Sequence, residues 1–225
     1  MKIIESLKSV YDKKSCFCLC NDSEWEIKED KDNASFRKVV VRKKSLKFEI
    51  IGNDFFRGMS SITSDRSSFL KDKDCDGVSF YEQDGKTGLM LIDLKSSFSE
   101  DNISKAFTQD FHTFLKLHMM MSICKGYRLG ELAISCYAAC PPCASSDVKD
   151  SILDTISMSE EAGDDRFINR CLKSYLIGGE EYSCALKDTP FASGSALHED
   201  LMNTIVSFHI FCPACSSASE GVLCL

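Results

Sequence analysis

The feature that most constrains the fold is a pair of apolar segments joined by Asp84-Gly85. Val78–Glu82 and Leu89–Lys95 are rich in strand-forming residues, and Asp-Gly between two such segments is a strong signal for a two-residue hairpin turn. That turn pairs positions whose numbers sum to 169, so Asp76 faces Asp93. Cross-strand partners have Cβ atoms about 4.5–5.5 Å apart, and like charges there are destabilising. The hairpin therefore predicts a divalent cation that compensates two neighbouring carboxylates.

The second strand of this hairpin carries a further chemical signal. Leu89–Ile92 is apolar on both faces, which is typical of a buried strand, yet the strand continues into Asp93-Leu94-Lys95. Alternation places Asp93 and Lys95 on one face and Leu94 on the other. A metal-binding carboxylate beside an ammonium group suits phosphodiester hydrolysis, because the metal acidifies a bound water and the lysine stabilises developing charge. Oxygen ligands favour Mg²⁺ or Mn²⁺ over Zn²⁺.

The order of the remaining elements predicts an α/β protein. Helical spacing of apolar residues marks the first eleven residues, and a second helix begins after a capping serine, Ser99. Further strands are predicted at Val39–Arg42, Leu46–Ile51 and Leu129–Tyr137. After the Pro141-Pro142 break, helices are predicted at Val148–Ser157, Asp164–Ile177 and Leu197–Phe208. We therefore expect a core at residues 1–143 and a helical, cysteine-containing C-terminal region at residues 144–225 packed on it.

The composition limits the class of protein. The chain has 225 residues, of which 44% are hydrophobic, enough for a folded core of ordinary domain size. No stretch approaches the roughly 18–20 uncharged apolar residues of a membrane span, and the first ten residues do not resemble a secretory signal. We expect a soluble, cytoplasmic protein without a membrane partner. The sequence also contains no glycine-rich phosphate loop, dinucleotide fingerprint or Gly-x-Ser-x-Gly motif, which disfavours kinase, Rossmann and α/β-hydrolase functions.

The hairpin and the helix after it resemble the PD-(D/E)xK, or restriction-endonuclease-like, nuclease superfamily. The resemblance is carried by Cys75-Asp76 at the start of one strand, by residues 91–97 (Leu-Ile-Asp-Leu-Lys-Ser-Ser) and by Lys105-Ala106-Phe107-Thr108-Gln109 on the helix. The family core is a helix, a three-stranded meander, a helix and a strand, and residues 1–137 can be laid on that order. Two positions depart from the family pattern, since Cys75 replaces the usual proline and Asp93 the commoner glutamate.

The resemblance implies a role for each matched residue. Asp76, Asp93 and the main-chain carbonyl of Leu94 would be ligands of Mg²⁺ or Mn²⁺, and Lys95 would be the catalytic lysine. Gln109 would orient the lysine or a backbone phosphate. Many members add a glutamate from the first helix, for which Glu5 is the best candidate and Glu49 a weaker one. The implied function is a metal-dependent nuclease, an endonuclease rather than an exonuclease, acting on DNA or alternatively RNA in restriction, phage defence or repair.

The charge distribution bears on how such a protein would hold nucleic acid. Residues 1–125 contain 21 basic and 20 acidic residues, whereas residues 126–225 contain 6 basic and 14 acidic residues, and the net charge of the whole chain is −7. Six basic residues are clustered and form the predicted nucleic-acid-binding surface: Arg37, Lys38, Arg42, Lys43, Lys44 and Lys47. A strand edge protected by solvated lysines is the competing interpretation. Because phosphate contacts supply most non-specific affinity, the acidic balance suggests a homodimer or a protein partner that helps to grip the substrate.

Thirteen cysteines are unusual for a chain of this kind, and without an export signal we expect reduced thiols. Two Cys-x-x-Cys pairs each contain proline: Cys140-Pro141-Pro142-Cys143 and Cys212-Pro213-Ala214-Cys215. Four thiolates from two such pairs can hold a structural zinc ion tetrahedrally; otherwise these cysteines are buried apolar residues or free thiols. An alternative to the nuclease is therefore a non-enzymatic interaction protein that has a nuclease-like core and a zinc-binding cysteine cluster.

Overall fold

The computed structural model describes residues 2–11, 16–20, 24–29, 36–42, 48–52, 55–56, 74–83, 85–142, 145–179, 181–192, 197–212 and 220–224. Its α-helices are α1 (Lys2–Tyr11), α2 (Glu100–Met121), α3 (Ser146–Glu161), α4 (Phe167–Lys173) and α5 (Glu199–Met202). Its strands are β1 (Phe17–Cys20), β2 (Glu24–Lys28), β3 (Lys38–Arg42), β4 (Phe48–Ile51), β5 (Gly77–Gln83), β6 (Lys86–Leu94), β7 (Leu132–Ala139), β8 (Tyr182–Ala185), β9 (Ile205–Phe211) and β10 (Glu220–Cys224). Short 3₁₀ turns lie at Leu129–Glu131 and Leu186–Asp188, and a π turn at Ser174–Gly178 extends α4.

The strands form two sheets of an α/β protein. The larger sheet has the order β1-β4-β5-β6-β7-β9-β8. Within this sheet, the pairs β4–β5 and β5–β6 are antiparallel. The pairs β6–β7 and β7–β9 are parallel. The smaller sheet has the order β10-β3-β2. Because β6, β7 and β9 run in the same direction, their carboxyl ends lie together at one edge of the larger sheet, which we call the carboxyl edge.

The hairpin register expected from the sequence is confirmed. Gly77 pairs with Ile92, Phe80 with Leu89 and Gln83 with Lys86, so the connection has two residues and no bulge shifts the ladder. Gly85 has a φ of +76°, a left-handed conformation that glycine adopts without strain; Asp84 lies outside the described residues. The pairing of Gly77 with Ile92 brings Asp76 and Asp93, the next residues outward, to the same end of the hairpin.

Helix α2 begins as expected and covers one face of the larger sheet. The Ser99 hydroxyl accepts a hydrogen bond from the backbone N–H of Asn102 at 3.2 Å, which caps the first turn. The apolar face of α2 packs on β6 and β7 within the larger hydrophobic core. In the described segments no helix, α2 included, combines the length and apolar character needed to cross a membrane.

The smaller sheet covers the opposite face of the larger one. Trp25 and Ile27 of β2 and Val39 and Val41 of β3 share a second core with residues of β4, β6 and β7. The contact is closest at Gly77: a Cβ atom there would lie 2.8 Å from Ile27 Cδ1 and 2.9 Å from two ring atoms of Trp25. Gly77 therefore lets the two layers meet immediately beside Asp76.

The prediction of one helix is wrong. The sequence predicts a helix over Leu197–Phe208, but only Glu199–Met202 is helical, and Ile205–Phe211 is strand β9. The inward residues Val206, Phe208 and Ile210 alternate with less buried neighbours, which is the period of a strand. The C-terminal region is thus not simply a helical layer on the core, because β8 and β9 complete the larger sheet and β10 joins the smaller one.

We expect Gly77→Ala to destabilise the protein, because the new methyl group forces Trp25 and Ile27 away from the sheet. Overpacking of this kind costs about 1–3 kcal/mol. Chemical denaturation of both proteins measures the difference. The matched control is Gly130→Ala, since that glycine is exposed and a Cβ atom added to it would meet no described atom within 4 Å; equal losses in the two variants would contradict the close contact between the layers.

Candidate active site

The sequence-predicted acids, lysine and glutamine converge at the carboxyl edge. Asp76 immediately precedes β5, Asp93 is the penultimate residue of β6, and Lys95 directly follows β6. Gln109 reaches the same place from α2, because that helix packs on β6. Four residues that are up to 33 positions apart in the sequence are therefore held by two strands and one helix.

The ammonium group of Lys95 is fixed from two sides. It forms an ion pair with Asp93 Oδ2, and its Nζ donates a hydrogen bond to Gln109 Oε1 at 2.8 Å. Gln109 is itself oriented, since its Nε2 donates to the main-chain carbonyl of Asp74 at 3.2 Å. The backbone N–H of Lys95 donates to Ala139 O of β7 at 2.8 Å. Both ends of the lysine are thus positioned by the fold, which limits the entropy lost when it acts on a ligand.

Asp76 is held against the same strand. Its Oδ2 accepts a hydrogen bond from the backbone N–H of Leu94 at 2.7 Å. Its carboxyl group is also close enough to that of Asp93 for one acid to donate a hydrogen bond to the other. The two carboxyl groups are therefore adjacent, as the hairpin register predicts, and they lie on the same side of the sheet.

The environment of the two acids favours their neutral forms. Asp93 is only 1% exposed, and burial, followed by the charge of Asp76, raises its pKa well above the ordinary carboxyl value despite the opposing effect of Lys95. Burial also raises the pKa of Asp76, and the Leu94 hydrogen bond opposes that shift. A divalent cation between the acids would reverse this preference, because it stabilises both carboxylates at once.

Sequence reasoning missed a third acid at the site. Asp110, on α2 next to Gln109, is fully buried, and among the described residues neither carboxyl oxygen has a nitrogen or oxygen hydrogen-bond partner. Burial, and then the charge of Asp93, raises its pKa well above the ordinary value, and the weakly donating thiol of Cys75 opposes the shift. A signal was present in the sequence: Asp110 falls at helical spacing between Phe107 and Phe114, within the apolar stripe of α2.

A partly buried ion pair between Lys116 and Asp74 lies next to the site, and sequence reasoning did not predict it. Lys116 of α2 has no exposed surface, and its Nζ lies 2.6 Å from Asp74 Oδ1. The carbonyl of Asp74 is the acceptor for Gln109. Removing one partner of a buried pair is strongly destabilising, so Lys116 secures the segment that holds Gln109 in place.

The structure does not bring the proposed first-helix glutamate to this group. Glu5 is 72% exposed on α1 and lies 3.4 Å from Lys8 Nζ. Lys8 also forms an ion pair with Glu49, which is buried on β4 opposite Phe80. Since Phe80 is four residues along the chain from Asp76, Glu49 lies about 13 Å along the strand direction from the acidic pair. Neither glutamate contacts Asp76 or Asp93 in the described residues.

The predicted basic surface is only partly described. Lys43, Lys44 and Lys47 lie outside the described residues. Lys38 and Arg42 lie on β3, where Lys38 is 3.2 Å from Glu26 and Arg42 is 2.8 Å from Glu24 of the neighbouring strand β2. Arg37 is exposed at the start of the same strand. These cross-strand ion pairs match the solvated-strand interpretation at least as well as a phosphate-binding surface.

The structure describes one cysteine of each Cys-x-x-Cys pair. Cys140 follows β7 and Cys212 follows β9, and their Sγ atoms are 3.7 Å apart; Cys143 and Cys215 lie outside the described residues. Within the described part of the chain, no three His, Cys, Asp or Glu side chains are grouped so that they could hold a metal ion.

Comparisons of the chain with protein-family models, with curated proteins and with solved structures gave no significant match. Function is therefore inferred from the geometry of the carboxyl edge.

The raised pKa of Asp93 predicts a pH-dependent stability difference. Above the ordinary carboxyl pKa near 4 the unfolded chain releases this proton, whereas the folded protein retains it until the pH reaches the raised pKa. The contribution of Asp93 to the free energy of unfolding therefore falls as the pH rises from its unfolded-state pKa to its folded-state pKa, by at most about 1.4 kcal/mol per pH unit. In metal-free buffer, we expect the stability of Asp93→Asn relative to the wild type to increase as the pH rises above the ordinary carboxyl pKa.

Urea unfolding of the two proteins at several pH values measures this difference. Asn keeps the size of the side chain and removes the ionisation, so the difference between the two curves reports the ionisation of Asp93 together with its coupling to Asp76 and Asp110. Curves that stay parallel across the interval would show that Asp93 ionises normally in the folded protein.

Proposed function

We propose that the protein is a divalent-metal-dependent nuclease that hydrolyses phosphodiester bonds, with DNA as the first candidate substrate and RNA as the alternative. One observation carries the proposal: a buried acid, Asp93, and a half-buried acid, Asp76, stand side by side at the end of a hairpin. A lysine is held beside them by a glutamine from the packed helix. Phosphodiester hydrolysis needs these elements, namely ligands for a cation and a positioned cationic side chain.

The chain order of the elements supports the same proposal. After helix α1 and three further strands, β1 to β3, the chain forms the antiparallel meander β4-β5-β6, then α2, and then β7, which runs parallel to β6. Apart from the intervening β1 to β3, this order matches the core of PD-(D/E)xK nucleases, and the acids and the lysine occupy the strands that the resemblance assigns to them. Strands β9 and β8 would then extend that core on the far side of β7.

The residues at the edge fit a hard divalent cation. Asp76 and Asp93 would hold it with the carbonyl of Leu94, and their raised pKa values indicate that Lys95 alone does not compensate both acids. Mg²⁺ commonly uses one or two carboxylates together with waters and substrate phosphates, so a third protein carboxylate is not required. When bound, such an ion would polarise a phosphoryl oxygen and acidify a water molecule.

The protein's own residues would supply orientation and charge. Gln109 keeps the Lys95 ammonium group at the acidic pair, where it can donate a hydrogen bond to a phosphate oxygen as negative charge develops. Asp74, through its carbonyl, keeps the Gln109 amide in the orientation in which Oε1 faces the lysine. Burial of Asp93 lowers the effective dielectric constant around it and strengthens these interactions.

Substrate binding would draw on more than the described basic residues. Lys38 and Arg42 already pair with Glu26 and Glu24, so a phosphate backbone would compete with those carboxylates. The net charge of −7 also opposes unaided binding to a polyanion. We therefore include a second subunit or a protein partner in the proposal, with the role of providing additional phosphate contacts.

We expect the purified protein to nick or degrade supercoiled plasmid DNA in the presence of Mg²⁺ or Mn²⁺, and Lys95→Ala to lower the rate by about 10²–10³-fold or more. Single-stranded RNA is assayed in parallel. The matched control is Lys105→Ala, which removes an exposed lysine from the same helix as Gln109 and should leave the rate within about twofold of the wild type.

Equal activity in Lys95→Ala and wild type would contradict the assignment of the site. If neither DNA nor RNA is cleaved with either metal, the result would favour the alternative function, a non-enzymatic interaction protein in which the fold serves as a scaffold for binding.

A direct metal effect is expected as well. A cation bound between the two acids would compensate their mutual repulsion. Millimolar Mn²⁺ should therefore raise the melting temperature of the wild-type protein, as does any ligand that binds only the folded state. Asp93→Asn should lose this shift, whereas Glu5→Gln should retain it, since Glu5 lies with Lys8 away from the pair. Differential scanning fluorimetry measures both; an unchanged shift in Asp93→Asn would place the bound ion elsewhere.

A further inference from the structure

Two cysteines occupy equivalent places at the ends of neighbouring parallel strands. Ala139 of β7 pairs with Phe211 of β9, so Cys140 and Cys212 are the next residues along the two strands. The backbone N–H of Cys140 donates to Phe211 O at 3.0 Å, which holds the strand ends together. Cys140 is buried and Cys212 is half-buried.

The separation of the two sulfur atoms matches two ligands of one metal ion. Their Sγ atoms are 3.7 Å apart. Two thiolates on a tetrahedral zinc ion, each at about 2.3 Å from the metal, are about 3.8 Å apart. A disulfide requires about 2.05 Å between the sulfurs, so this pair is not bonded covalently. The backbone therefore presents two thiols at the spacing of zinc ligands.

The sequence provides an independent observation. Cys140 and Cys212 each begin a Cys-x-x-Cys motif that contains proline, and the second cysteines are Cys143 and Cys215, outside the described residues. This spacing is that of zinc knuckles, and two such pairs supply the four soft ligands of a structural site. The motifs are 68 residues apart in the sequence, yet the parallel pairing of β7 and β9 brings their first cysteines into contact.

We propose that Cys140 and Cys212 are two thiolate ligands of a structural zinc ion that joins the ends of β7 and β9. This site goes beyond the proposed nuclease function and uses different chemistry, since thiolates select soft metals whereas the carboxylates of Asp76 and Asp93 select hard ones. No atom of the acidic pair takes part in it.

The position of the zinc site gives it a structural consequence. Ala139, the residue before Cys140, accepts the backbone hydrogen bond of Lys95. The zinc ion would thus tie the C-terminal strand β9 to the part of β7 that supports the candidate lysine. Binding to the folded protein stabilises it, so removal of zinc should loosen the carboxyl edge first.

Elemental analysis of the purified protein, expressed in zinc-supplemented medium and passed through a desalting column, tests the proposal. We expect about one zinc per chain, and at least a fivefold lower content in Cys140→Ser and in Cys212→Ser. Cys18→Ser is the control, because Cys18 is exposed on the edge strand β1, and it should retain full zinc. Lys95→Ala should also retain full zinc, which separates this result from success or failure of the nuclease assay.

A second measurement uses the wild-type protein, in case the serine variants do not fold. A strong chelator should release one equivalent of zinc, detected by a colorimetric indicator, and lower the melting temperature, and added zinc under reducing conditions should restore it. Absence of zinc, iron in its place, or a Cys140–Cys212 disulfide in peptide mapping of the freshly purified protein would each overturn the proposal.

Discussion

The close approach of two acids, the buried Asp93 and the half-buried Asp76, is the constraint on which the interpretation of this protein depends. A buried carboxylate is costly, and a second one beside it is costlier. The fold maintains the arrangement because the hairpin register fixes both positions, Leu94 binds one acid and Lys95 pairs with the other. A protein retains such an unfavourable arrangement where a ligand compensates it, and strongly shifted carboxyl groups of this kind are concentrated at functional sites.

The acidic pair, Lys95 and the cysteines that follow β7 and β9 all lie at the carboxyl edge of the larger sheet. Strand β6 ends in Asp93 and Leu94, just before Lys95. Beside it, β7 ends just before Cys140 and β9 ends just before Cys212. Backbone hydrogen bonds link the three in order, from Lys95 to Ala139 and from Cys140 to Phe211. Polar groups gather at the end of β6 because its interior is apolar on both faces, with α2 on one side and the smaller sheet on the other. Ligand sites in sheets of this kind commonly lie at the carboxyl ends of parallel strands.

Local signals in the sequence predicted the hairpin, the capped helix and the grouping of Asp76, Asp93 and Lys95, because a two-residue turn determines every pair in the ladder. The place of Gln109 was expected only from the family resemblance. Strand β9 was mistaken for a helix, since Leu197–Phe208 contains apolar residues at both periods and only its place between β7 and β8 selects the strand. The roles of Asp110 and Lys116 depend on which face of α2 meets the sheet, and no turn or spacing rule determines the orientation of Glu5. The pairing of Cys140 with Cys212 required the parallel register of β7 and β9, a long-range contact that no local pattern encodes.

A crystal structure of the protein soaked with Mn²⁺, with anomalous scattering used to locate the metal, tests the central claim most directly. We predict one manganese ion in direct contact with an oxygen atom of Asp76 and one of Asp93, with the Lys95 ammonium group displaced from Asp93 but still bound to Gln109. Manganese bound elsewhere, or no manganese in contact with Asp76 and Asp93 at saturating metal, would contradict it.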